Sequence, residues 1–140
     1  MNFNKIVFLI IVLISGFSTS ALAAGNENHD WSEVISAIIH VESEGNAKAR
    51  NGKYAGAMQI APILVKECNT ILEEKNVKER FTLDDRYDVK KSKEMFRLFQ
   101  EKYNPGKNIE FAIRAWNGGP KFDKKSTNTY YKKVMAAMQK

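Results

Sequence analysis

Glu42 stands where an apolar side chain is expected. The segment VISAIIHVESEGNAKARNGKYAGAMQI, residues 34 to 60, opens as a helix. At about 100° per residue Trp31, Ile35, Ile38 and Glu42 fall on one stripe of that helix. If the stripe is buried, the carboxylate loses water, its charged form is disfavoured and its pKa rises. It then becomes a proton donor near neutral pH. The competing reading is a stripe that ends early, leaving an ordinary helix-terminal glutamate in solvent. Glu44, about 200° further round, is expected in water. The residues that follow add chemistry of one kind. Ser43, Gly45, Asn46 and Ala49 come directly after the acid, then a loop with Gly52 and Gly56, then Met58, Gln59, Ile60 and Pro62. Ala115, Trp116, Asn117, Gly118, Gly119 and Pro120 come much later. Glycine lets backbone approach a ligand closely, and the amides of Gln59 and Asn117 both donate and accept, as sugar hydroxyls and acetamido groups require.

The elements that position these groups read as helices. Asp30 followed by Glu33 resembles a capping box and predicts a helix from about Trp31 to Glu44, stopped by Gly45. Pro62 opens a second helix that runs to about residue 74, proline being well placed in a first turn. Asp88 caps a third through Met95, Phe96, Phe99 and Tyr103, closed by Asn104, Pro105 and Gly106. A fourth runs from Asn108 to Trp116 and ends at Gly118, Gly119 and Pro120. The last begins near Thr127 and carries Tyr130, Tyr131, Val134 and Met138. No alternating run is long enough for a strand, and no internal repeat is present. The expected fold is mainly α, a compact single domain. Asp84, Asp85 and Asp88 cluster in FTLDDRYDVKKS, where a turn and a helix cap account for them better than a second catalytic acid.

Composition and the chain's first residues bound the partners. The sequence has 22 Lys+Arg against 16 Asp+Glu, a net charge of +6 that suits a polyanionic partner such as nucleic acid, anionic lipid or a cell-wall polymer. The basic residues are scattered among acidic ones without interleaved aromatics, so no nucleic-acid surface is expected. Residues 1 to 23 have a short head with Lys5, an apolar run from Ile6 to Ile14 and small residues ending in Ala21, Leu22 and Ala23. This is the layout of a secretory signal peptide, with cleavage expected after Ala23 and a periplasmic or secreted location. The run is far shorter than the roughly 20 residues a bilayer needs, and no cysteine near it offers a lipid anchor, so no stable membrane anchor is expected. The remainder is long enough for one modest core and too short for two domains. Cys68 is the sole cysteine, which leaves no internal disulfide; Leu64, Val65, Ile71 and Leu72 on its helical face place it in the core. His29 and His40 form no spaced ligand set, so neither a metal nor another cofactor is expected.

Taken together, these segments resemble the lytic transglycosylases with a goose-type-lysozyme-like catalytic domain. Their E-S-x-x-N/D-x-x-A motif is matched by Glu42, Ser43, Asn46 and Ala49. G-L-M-Q-x-x-P is met by Gly56, Met58, Gln59 and Pro62, with Ala57 in place of Leu. A-Y-N-A-G-P appears as Ala115, Trp116, Asn117, Gly118, Gly119 and Pro120, so Trp stands for Tyr and Gly for Ala. Thr127, Tyr130, Tyr131 and Val134 approximate a closing T-x-x-Y-V-x-x-V. The resemblance implies a lysozyme-like fold from residue 24 to 140, with peptidoglycan glycan strands as the partner. It also implies cleavage of the β-1,4 bond between N-acetylmuramic acid and N-acetylglucosamine to leave a 1,6-anhydromuramyl end. Glu42 would be the catalytic acid and base. Ser43, Gly56, Met58, Gln59, Trp116, Asn117 and Tyr130 would line or organise the substrate site. Two alternatives stay open, a hydrolysing lysozyme-like enzyme on the same fold and a noncatalytic wall-binding module. With hardly any chain beyond this domain, targeting is expected to come from a cell-envelope assembly.

Overall fold

The computed structural model describes residues 29–140, so the expected leader and its cleavage after Ala23 lie outside the described residues. The described residues form five α-helices and one minimal hairpin. The helices are α1 (Ser32–Ser43), α2 (Pro62–Glu74), α3 (Val89–Tyr103), α4 (Ile109–Gly118) and α5 (Asn128–Met138). The hairpin pairs β1 (Arg50–Asn51) antiparallel with β2 (Tyr54–Ala55), and a 3-10 turn, Asp84–Tyr87, precedes α3.

Local chemistry explains most boundaries. Pro62 occupies the first turn of α2, where its missing N–H costs nothing. Asp88 caps α3 by accepting from Lys91 N at 2.9 Å, and Asn108 caps α4 by accepting from Phe111 N at 2.7 Å. Asp85 accepts from Thr82 N at 2.8 Å, so the aspartate cluster does serve a turn and a cap. The start of α1 differs from the expected capping box. Trp31 holds the N-cap position without a side-chain cap, and Asp30 accepts from Ser32 N at 2.9 Å in a local turn. Burial of Trp31 outweighs the cap, its side chain being 5 % exposed and packed edge-on to Phe96. At the other end Glu44, with φ of 52°, takes the left-handed capping role expected of Gly45, and Gly45 follows it with φ of 86°.

One core joins the elements. Trp31, Ile35 and Ile38 of α1, Cys68 of α2, Phe96 of α3, Ile113 of α4 and Val134 of α5 belong to a single buried cluster. α1 packs most extensively on α5, α2 on α3, and α4 on α5. The α1–α5 contact brings the helix that carries Tyr130 and Val134 back to the helix that carries Glu42.

Candidate active site

The stripe of α1 remains buried up to its end. Ile35 and Ile38 are sealed, Glu42 is half-buried and Glu44 is exposed, as the angular argument requires. From α5, Tyr130 Oη donates a hydrogen bond to Glu42 Oε1 at 2.8 Å. Burial raises the pKa of Glu42 above its ordinary value, and the Tyr130 hydrogen bond opposes that rise. No neighbouring charge among the described residues contributes. Burial, the charge of Glu42 and the shared hydrogen bond push the Tyr130 phenol far up, so it stays a donor. Glu42 Oε2 accepts no hydrogen bond within the described residues.

The loop after α1 is tied to the acid's helix. Ser43 Oγ donates to the Ala57 carbonyl at 2.8 Å, so this hydroxyl holds the loop beside Glu42. Gly56 has φ of 81°, and a Cβ there would sit 1.6 Å from the Arg86 carbonyl oxygen. The close approach it permits is therefore to the protein's own backbone. Met58 has its side chain in the core, 0 % exposed, while its carbonyl accepts from Trp116 Nε1 at 3.2 Å. Gln59, with φ of 50°, turns its amide back to donate to the Gly56 carbonyl at 2.9 Å and the Ala49 carbonyl at 3.3 Å. Asn46 accepts from Lys48 N at 2.9 Å in the same loop.

A cleft of about 350 Å³ opens beside this loop. Gln59, Trp116 and Asn117 line it, together with Tyr54, Ile63, Glu67, Phe99, Tyr103, Gly119 and Pro120. Glu42 and Tyr130 are not on its wall. Ser43, next to Glu42, is bonded to the Ala57 carbonyl, and Trp116 of the cleft is bonded to the Met58 carbonyl, the two residues directly before Gln59. The structure thus brings Gln59, Trp116 and Asn117 to one cleft, pairs Glu42 with Tyr130, and gives Ser43, Gly56 and Met58 places in the framework between them.

Sequence reasoning missed Arg86. Its Nη1 donates to the Lys53 carbonyl at 3.1 Å and the Ile60 carbonyl at 3.3 Å, tying the hairpin turn to the segment that follows β2. Its only signal was a lone cation inside an acidic run. Among the described residues no group of three or more His, Cys, Asp or Glu side chains is placed to hold a metal ion.

Comparison with known families gives one match, to the family described as the transglycosylase SLT domain, over residues 19–138. No curated protein and no solved structure matches the chain.

Proposed function

The chain belongs to the transglycosylase SLT domain family, whose activity is of the lytic transglycosylase type on peptidoglycan, and from that premise we propose that Glu42 is the general acid and base of such a reaction. The observation that carries this reading is the half-buried carboxylate bonded on one oxygen to Tyr130 and, among the described residues, open on the other. Burial keeps a proton on Glu42 at a pH where a solvated glutamate has lost it. Tyr130 holds Oε1, which leaves Oε2 to carry that proton. Glu42 gives it to the oxygen of the β-1,4 bond between N-acetylmuramic acid and N-acetylglucosamine as the C1–O bond breaks. The carboxylate so formed takes the proton of the muramyl C6 hydroxyl as that oxygen bonds to C1. The product is a 1,6-anhydromuramyl end, and no water is consumed.

The same observation favours this route over hydrolysis. Glycosidases that use water commonly set a second carboxylate about 5 to 5.5 Å away for retention, or about 6.5 to 9.5 Å for inversion. Among the described residues no second acid contributes to the shift of the Glu42 carboxyl, and Asp85 and Asp88 are engaged in a turn and a cap. A nucleophile supplied by the substrate removes the need for one. In the cleft Asn117 offers an amide to the glycan, Gln59 offers its Oε1 as an acceptor while its Nε2 is held by the loop, and Trp116 offers an aromatic face. The reading also places the protein outside the cytoplasmic membrane, in the periplasm or beyond, where the polymer is. The test is mass spectrometry of fragments released from purified sacculi. Anhydro ends support the proposal, reducing ends convert it to a hydrolase, and an intact wall reduces the domain to a binding module.

A further inference from the structure

Glu67 lies on the cleft wall and belongs to none of the segments that carry the acid. Tyr103 of α3 donates its phenolic proton to Glu67 Oε1 at 2.5 Å, and Lys102 Nζ reaches the same oxygen at 3.2 Å. Lys102 also pairs with Glu74 at 3.1 Å. Glu67 Oε2 takes no hydrogen bond among the described residues. The Tyr103 bond, against some burial, holds the Glu67 carboxyl below the usual carboxylate range, so it is an ionised acceptor at neutral pH. Around it stand apolar surfaces left open to solvent: Tyr54 is 43 % exposed and Ile63 is 70 % exposed. Trp116 completes the wall.

Flat apolar faces beside an acceptor with a free lone pair are what a pyranose needs. Its C–H face packs on the aromatic or aliphatic surface, and its hydroxyl or acetamido N–H donates to the carboxylate. Lys102 is shared between Glu67 and Glu74, so Glu67 keeps its acceptor character and its Oε2 stays open to a hydroxyl or amide donor. The two donors on Oε1 fix the direction in which Oε2 points, so the acceptor is organised before a ligand arrives.

We propose that Glu67, oriented by Tyr103 and flanked by Tyr54 and Ile63, forms a sugar-binding subsite of the cleft that is separate from the acid and makes the protein select glycan oligomers over a disaccharide. The proposal rests on the reading above for the kind of polymer bound, and not for its chemistry. Neither Glu67 nor Tyr103 is a catalytic residue in it.

Binding is measured in a Glu42→Gln protein, so that cleavage does not intrude. β-1,4-linked N-acetylglucosamine di-, tetra- and hexasaccharides are titrated by calorimetry, with Glu67→Gln or Tyr103→Phe added in turn. Glu67→Gln keeps the shape and puts a donor where an acceptor stood. It should weaken tetrasaccharide and hexasaccharide binding by about tenfold or more, with little effect on the disaccharide. Tyr103→Phe should do the same to a smaller degree, since the acceptor survives and only its orientation is lost. Melting temperatures report folding separately. Equal affinity of Glu67→Gln and its parent for every length overturns the proposal, as does a parent that binds none of the oligomers. Length-dependent binding through Glu67 in a protein that leaves sacculi intact would refute the catalytic reading while supporting this one.

Discussion

At Glu42 two effects of opposite sign meet in one side chain. Loss of water favours the neutral acid, and the Tyr130 donor favours the carboxylate; the first is the larger, so the pKa rises. The folded state therefore prefers the protonated form. That preference contributes stability below the unfolded value of about 4.3 and is lost as pH rises through the higher folded value. Glu42→Gln keeps a neutral side chain that still accepts from Tyr130 at every pH. It should melt at or above the parent at neutral pH, with the gap narrowing toward pH 4. A variant less stable than the parent throughout would show that the site favours the carboxylate. The same substitution should lower sacculus solubilisation by about 10²- to 10⁴-fold, because the amide cannot deliver a proton. Tyr130→Phe removes the one contact that lowers the Glu42 pKa. The basic limb of its pH–activity profile should move to higher pH, and the rate at its optimum should fall by about tenfold or more as the carboxyl loses its orientation. An unmoved limb would mean that Tyr130 does not act on the acid.

Between residues and fold, the signals that proved legible were those with local causes. Pro62 and Asp88 marked the starts of α2 and α3 because a missing N–H and a capping carboxylate act within one turn. The periodicity of Trp31, Ile35, Ile38 and Glu42 gave the buried face of α1 for the same reason. The hairpin left no trace, since two-residue strands cannot show alternation. The Glu42–Tyr130 bond spans 88 residues, and nothing local announces it; only the resemblance placed Tyr130 near the acid. The role of Gly56 was likewise hidden, because its neighbour Arg86 is brought in by the packing of a distant turn. Gly56→Ala tests that packing. The new Cβ would overlap the Arg86 carbonyl, and alanine would be strained at a φ of 81°. Left-handed strain and overpacking together should cost about 2 to 5 kcal/mol, read as a lower denaturant midpoint with an unchanged slope. A variant as stable as the parent would show that the loop does not lean on the turn.

Across the whole molecule, one core serves five helices, and Cys68 reports on it. Its side chain is 0 % exposed, and its Sγ donates to the Met95 carbonyl at 3.5 Å, joining α2 to α3. Burial, aided by the charge of Glu67, pushes the thiol up to about 12, so little thiolate exists at any ordinary pH even before access is considered. Cys68 belongs to a cluster that also draws on α1, α3, α4 and α5, so exposing the sulfur disturbs a core that all five helices share. Labelling by a thiol reagent should therefore follow opening of the whole domain and run at least about 10³-fold slower in native buffer than in denaturant. Its rate should rise with urea along the same slope as global unfolding. A glycan oligomer bound in the cleft stabilises the folded state by mass action, so at about 100 times its dissociation constant it should slow labelling by a further factor of about 100. Rapid labelling of native protein would put Cys68 at the surface. Labelling that is slow but indifferent to both urea and glycan would mean that a local fluctuation of α2 admits the reagent, and that the cleft and the core are not one cooperative unit.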